Sequence, residues 1–346
     1  MQALVLYGKE DARLERVPVP AVGPGEVRVR IGAALTCGTD LKVFRRGYHA
    51  RMIVPPAVFG HELAGVIDAV GEGVTGWSPG DRVVAANSAP CGECFFCGVD
   101  REELCEDLLF FNGAYAEYAT LPARLVRKNL HRLPETLPFE AAALAEPLAC
   151  AVHGVHETGV RAGETVAILG AGPLGLLLAR CAVLKGARVL MLGRREGRLA
   201  AARALGAEEV LDVAGEVDPV AWVRGRTGGR GADRVIEAVG TPEAWSQAIA
   251  LARKGGVVNL FGGCASGTSI QVDTTRLHYD ALTLIGTFHH TPEMVREALR
   301  LLAAGQIPAE VLIQEHATLA ELSTLLPVLA RGGGPLKVAV HPGTGS

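Results

Sequence analysis

The sequence predicts an α/β protein of two domains: a mostly β, barrel-like domain and a doubly wound parallel sheet. Three observations carry this. The chain has 346 residues, more than one hydrophobic core usually organises. Up to about Thr120 it reads as short β-type runs punctuated by Gly and Pro. From Glu164 onwards, strands alternate with helix-length segments. Hydrophobic residues at 49% and charged residues at 21% supply enough apolar surface for both cores.

In the first part, Glu26 to Ile31, Ala64 to Val70 and Asp81 to Ala85 read as strands. In the second, Thr165 to Leu169 reads as a buried strand, Pro173 to Lys185 as a helix and Arg188 to Leu192 as the next strand. A helix over Gly197 to Leu205 and strands at Glu209 to Val213 and Asp233 to Val239 continue the alternation. A helix from Pro242 to Arg253 leads into strands at Gly256 to Leu260 and Leu282 to Ile285. The tail adds helices at Pro292 to Ala304 and Leu319 to Ala330, then a closing strand from Leu336 to His341.

Several functional classes fall away. With 34 basic and 37 acidic side chains the net charge is -3, which offers no strong field for nucleic acid. No basic region followed by an apolar one opens the chain, so Met1 to Val17 does not read as a signal peptide. The longest uncharged stretch, Gly255 to Val272, is broken by five glycines and does not read as a membrane span. A reducing, cytoplasmic setting is expected. Four of the eight cysteines crowd into 15 residues, a pattern that suits thiolate metal ligation better than disulfides in a large chain without an export signal.

Gly170-Ala-Gly172-Pro173-Leu174-Gly175 follows a predicted strand and opens a predicted helix. In that context the first glycine permits the tight turn, the second lets a pyrophosphate approach and the third allows close helix packing. The next strand ends in Gly193-Arg194-Arg195, where an acidic residue would bind the adenosine ribose. Two guanidinium groups there can pair with a 2′-phosphate, which favours NADP(H) over NAD(H), although a solvated basic turn has the same composition. Arg198 follows at helical spacing as a further ribose contact or a solvent-facing residue.

Cys91-x-x-Cys94-x-x-Cys97-x7-Cys105 offers four thiolates for a closed, structural zinc site. Cys37 within Thr36-Cys-Gly-Thr39-Asp40, with His61 and Glu62 within Gly60-His-Glu-Leu-Ala-Gly65, offers a thiolate, an imidazole and a carboxylate. Such a set leaves zinc an open fourth position, as a catalytic site needs, but spacing alone does not join these segments. Glu146 lies in the otherwise apolar run from Ala141 to Val152, where an unpaired carboxylate is costly to bury. It is either metal-bound or a helix-end group touching solvent.

Taken together, these motifs resemble the zinc-dependent medium-chain dehydrogenase/reductase family over nearly the whole chain. The family's zinc signature G-H-E-x2-G-x5-G-x2-V is met from Gly60 through Gly65 and Gly71 to Val74. The Cys-Gly-Thr-Asp segment and Glu146-Pro-Leu-Ala-Cys150 look most like the polyol branch, which includes sorbitol and L-iditol 2-dehydrogenases.

The resemblance implies a GroES-like β-rich catalytic domain at 1–150 and 287–346 and a Rossmann dinucleotide-binding domain at 151–286. It implies one catalytic zinc on Cys37 and His61 with Glu62 or Glu146, and one structural zinc on the four cysteines. The implied reaction is reversible oxidation of a small secondary alcohol (a polyol, sugar alcohol or cyclitol) to a ketone, with Thr39 receiving the hydroxyl proton. A dimer or tetramer is usual among relatives. A threonine 3-dehydrogenase or a simple alcohol dehydrogenase is the nearest alternative, and a non-catalytic zinc and nucleotide binder the alternative of another class. Lys42 stands where threonine dehydrogenases carry a relay histidine, and His49 reads as a surface-loop histidine rather than its substitute. Phe44 to Met52, Tyr115, Phe288, His289 and His290 are expected to shape the substrate pocket or its rim.

Overall fold

The computed structural model describes residues 1–48 and 52–343. Their backbone contacts divide the chain into two compact units, 1–146 with 290–346, and 147–289.

The first unit is built on a seven-stranded sheet in the order Leu130–Arg132, Arg82–Ala85, Glu62–Val70, Val27–Leu35, Lys337–Val340, Ile313–Ala317, with Tyr118–Leu121 also pairing Val27–Leu35. A three-stranded sheet of Asp11–Arg16, Gln2–Gly8 and Ala57–Val58 accompanies it. Leu4, Leu6, Val29, Ile31, Phe59, Leu63, Ile67 and Leu121 fill the core, and Leu322 and Leu326 of the Leu319–Ala330 helix join it. Gly65 is required by close approach: a Cβ there would lie 2.1 Å from the Arg30 carbonyl oxygen of the neighbouring strand.

The Val27–Leu35 strand ends between two partners. Leu35 pairs with Glu62 on one side and with Ala339 on the other. Cys37, two residues later, therefore starts the Gly38–Arg46 helix between the zinc-signature strand and the returning C-terminal strand. That helix was not expected from the sequence.

The second unit is a six-stranded parallel sheet in the order Glu209–Asp212, Arg188–Gly193, Thr165–Leu169, Ala232–Glu237, Ala252–Leu260, Thr283–Ile285. The sheet order reverses beside Thr165–Leu169, the switch point at which such sheets bind nucleotides. Several expected boundaries move, and two of the shifts have a visible cause. The helix begun at Pro242 ends at Leu251 and a strand already starts at Ala252, which takes extended backbone (ψ 142°) and pairs with Ala232 of the neighbouring strand. The strand expected to reach Val239 stops at Glu237, whose carboxylate accepts from the Val239 and Gly240 amides and folds the chain into a turn. No helix among the described residues is long and apolar enough to cross a membrane.

His131, in the Leu130–Arg132 strand, gives the first unit an acid-sensitive point. Burial, followed by the Arg296 charge, pushes its imidazole down to about 4. The unfolded chain then binds the extra proton first, so this contribution is complete above about pH 6.5 and is lost as pH falls towards 4. With partial exposure discounted, a loss on the order of 2 kcal/mol is expected. Urea midpoints at pH 7.5 and 4.5 should differ less for His131→Gln than for the unaltered protein. Parallel acid profiles for the two would remove His131 from the account.

Candidate functional site

The four clustered cysteines come together in one lobe of the first unit, their sulfurs all within 4.8 Å of one another. Cys94 and Cys97 sulfurs are 3.6 Å apart, and those of Cys91 and Cys97 3.9 Å. A tetrahedron with metal–sulfur bonds of about 2.3 Å has edges of about 3.8 Å, so the spacing suits zinc and is far too long for a disulfide. Backbone N–H groups already point at the sulfurs: Cys91 donates to Cys105, Gly92 to Cys97, and Cys94 to Cys91. The thiols are driven apart in acidity. The Cys97 and Glu106 amides hold Cys94 down to about 6, whereas burial pushes Cys97 up to about 12. A set of sulfurs sharing so little space suits a cation that takes all four as thiolates.

Cys37, His61 and Glu62 form a second group, with donor atoms within 4.8 Å of one another. The structure thus joins two segments that spacing could not. Cys37 caps the Gly38–Arg46 helix, its sulfur accepting from the Thr39 amide at 3.5 Å, while Asp40 accepts from the Cys37 amide at 3.2 Å. Asp40 also fixes the imidazole. His61 Nδ1 lies 2.9 Å from Asp40 Oδ1, so Nδ1 carries the proton and Nε2 remains for a ligand. The Tyr115 hydroxyl donates to the other Asp40 oxygen at 2.6 Å. Burial pulls the His61 imidazole down, but the charges of Asp40 and Cys37 and hydrogen bonds to both raise it well above its ordinary value. A largely buried group with that bias suits a cation. The donor set fits zinc.

Glu62 is wholly buried and meets Lys337, also buried, at 2.7 and 2.5 Å through its two oxygens. Lys337 Nζ donates in addition to the Thr36 carbonyl at 3.0 Å. Burial pushes the Glu62 carboxyl up, opposed by the Lys337 charge. Glu146 is buried too, with Oε1 3.8 Å from His290 Nε2, and His290 reaches Asn87 Oδ1 at 3.2 Å.

Sequence reasoning missed Asp40 and Lys337 as parts of this site. Tyr115 and Phe44 are core residues, with the Tyr115 hydroxyl on Asp40, and His290 is buried 3.8 Å from Glu146. Lys42 is exposed. Phe288 is about half exposed. His49 lies outside the described residues.

In the second unit the glycine turn joins Thr165–Leu169 to the Pro173–Leu184 helix. Gly170 has φ +108°, and a Cβ on Gly175 would lie 1.8 Å from the Gly170 carbonyl oxygen. Around Gly172, by contrast, nothing lies within 4 Å of the position a Cβ would take, and the helix it caps has no side-chain cap. Its first amides, including those near Leu174, are therefore left to a ligand, which is the cradle a pyrophosphate needs. Gly193 packs against Ala171 of the same turn. Beyond it Arg194 and Arg195 are exposed, Arg195 at φ +74°. Burial and the neighbouring Arg195 charge lower Arg198 from its ordinary value, so cationic charge accumulates at the strand end.

Comparison with known proteins matches two family profiles, the alcohol dehydrogenase GroES-like domain over residues 23–135 and zinc-binding dehydrogenase over residues 173–304. An L-threonine 3-dehydrogenase of Bacillus licheniformis is 34% identical, with 96% of each chain covered. An erythritol/L-threitol dehydrogenase of Mycolicibacterium smegmatis is 32% identical over 99% of this chain and 98% of the relative. A solved zinc-binding dehydrogenase structure from Sinorhizobium meliloti 1021, bound to NADP, superposes with a TM-score of 0.88 at 32% identity, with 99% of each chain covered.

Proposed function

Because this chain belongs to the zinc-dependent medium-chain dehydrogenase family, we propose that it oxidises a small secondary alcohol of polyol type reversibly to the ketone, using NADP(H) in preference to NAD(H). The observation that carries the proposal is the group of half-buried Cys37 with buried His61 and Glu62, whose surroundings favour a cation.

When bound, zinc supplies a Lewis acid that polarises the substrate oxygen, and the nicotinamide supplies the hydride acceptor. Cys37 and His61 hold the metal, with Glu62 as the nearby carboxylate and Glu146 as the second candidate. Asp40 keeps the His61 proton on Nδ1 so that Nε2 can ligate. Lys337 balances the Glu62 charge and anchors the C-terminal strand to the site. The hydroxyl of Thr39, the residue whose amide donates to the Cys37 sulfur, accepts the substrate proton and passes it on towards water. Cys91, Cys94, Cys97 and Cys105 hold a second, structural zinc. Gly170, Gly172, Pro173, Leu174 and Gly175 form the dinucleotide turn, and Gly193 lets the end of the next strand pack against Ala171 of that turn.

The NADP preference rests on Arg194, Arg195 and Arg198, which gather positive charge where an acidic residue would repel the 2′-phosphate. Losing two charge-assisted bonds raises KM for NADP by about 10- to 100-fold, so that is the expected result for Arg194→Ala/Arg195→Ala, with KM for NAD little changed. Equal effects on both cofactors would assign the arginines a general role and remove the preference.

The function is tested by initial rates across polyols, cyclitols, threonine and simple alcohols, each with NAD and NADP. Polyol turnover favouring NADP supports the proposal. Preferred threonine turnover would favour the second reading, which the 34% identity to a threonine dehydrogenase keeps in view. Lys42, exposed in the place of that enzyme class's relay histidine, speaks against it.

A further inference from the structure

A third group of metal-type donors lies in the first unit and shares no residue with the two already described. His316 Nδ1, His341 Nε2 and a Glu140 carboxylate oxygen lie within 4.8 Å of one another. The three come from separate parts of the chain. Glu140 is in the Phe139–Ala143 helix, His316 in the Ile313–Ala317 strand, and His341 directly follows the Lys337–Val340 strand.

The ladder explains the meeting of the histidines. His316 pairs with Ala339 in the parallel register, which puts His341, two residues on, on the same face as His316's neighbour. The His341 amide donates to the Ala317 carbonyl at 2.8 Å and holds that register to its end.

The distances suit a small cation. The two imidazole nitrogens are 3.0 Å apart, and His341 Nε2 is 3.7 Å from Glu140 Oε1. Ligands at about 2.0–2.1 Å from a tetrahedral zinc ion are separated by about 3.4 Å, between those two values. At present the rings lie within 13° of parallel, as when one imidazole donates to the other. His316 is exposed, so rotation of its ring can turn both lone pairs towards a point shared with Glu140. Two imidazoles and one carboxylate, open to solvent on the fourth side, form a donor set for zinc-class transition metals rather than for magnesium or calcium.

We infer that Glu140, His316 and His341 form an exchangeable, surface site for a zinc-class divalent cation, which ties the returning C-terminal strand to the helix preceding Glu146. The bond to metal would replace the proton now shared between the rings, and nothing is oxidised or reduced.

Cobalt(II) is the probe, added to protein that retains its firmly held zinc. Equilibrium dialysis should show one more bound cobalt in the unaltered protein than in His316→Ala or His341→Ala. Its visible spectrum should carry d–d bands without the thiolate charge-transfer band that cysteine ligation produces. Glu140→Gln should weaken the extra binding by at least about tenfold. Cobalt should also raise the unfolding temperature of the unaltered protein and leave that of His316→Ala unchanged. Equal cobalt uptake by the unaltered protein and both histidine variants would overturn the site. So would an extra cobalt that shows thiolate charge transfer. Neither readout depends on catalytic activity, so the result stands whichever alcohol the protein oxidises.

Discussion

With metal removed, so that no zinc balances Glu62, Lys337→Met is expected to lose about 3–5 kcal/mol of stability, read as a lower urea midpoint at unchanged slope. Lys337 and Glu62 are 1% and 0% exposed, and the ammonium touches both carboxylate oxygens. Methionine matches the lysine stem in length and packing, so the change mainly removes charge. Glu62 would then face desolvation without its partner, a situation more costly than the absence of the pair altogether. The double variant Glu62→Gln/Lys337→Met separates the two effects and should recover much of the loss. A single-variant loss under about 1 kcal/mol would mean that another cation balances Glu62, and the account of the pair would fail.

Thr39→Val is expected to cut kcat by about 10²- to 10⁴-fold, with metal content and unfolding midpoint unchanged. Thr39 is half-buried, and its amide is already tied to the Cys37 sulfur, so the backbone at the helix start does not depend on the hydroxyl. Valine keeps the shape and removes the hydroxyl to which the proton transfer is assigned. Thr39→Ser should restore turnover, because it returns the hydroxyl. Near-normal kcat in Thr39→Val, with two zinc ions still bound, would take Thr39 out of the proton path.

Much of the fold is legible because its periodicity is strong. Thr165–Leu169 and Leu319–Ala330 occur with the bounds read from the sequence, one as an unbroken apolar strand and the other as a helix with a Thr318 and Glu321 capping box. The Gly38–Arg46 helix escapes notice because only nine residues carry it, and its short buried face sets Asp40 beside Val43 and Phe44. Within the site, Cys37, His61 and Glu62 were nameable, but their meeting depends on strand register that no local pattern records. Lys337 was invisible for two reasons. Lysine is ordinarily a surface residue, and its partner lies 275 positions away. Asp40 could have been found, since a carboxylate beside a candidate ligand is the usual orienter of a metal-binding histidine. Tyr115 and Phe44 belong to the core, and the Tyr115 hydroxyl reaches the site only through Asp40.

The first unit is interrupted by the second, and this sets a timetable for synthesis. Glu62 leaves the ribosome 275 residues before Lys337, which at 5–20 residues per second is a wait of roughly 15–55 s. Residues 147–289 are complete before residues 290–346 exist, so the nucleotide-type sheet can fold while the first unit still lacks its last two sheet strands. During that interval Glu62 has no buried cation to meet, and the edge of the Val27–Leu35 strand later covered by Lys337–Val340 stands open. A nascent chain stalled before Lys337 should therefore resist protease across its middle while its first 146 residues are cut readily.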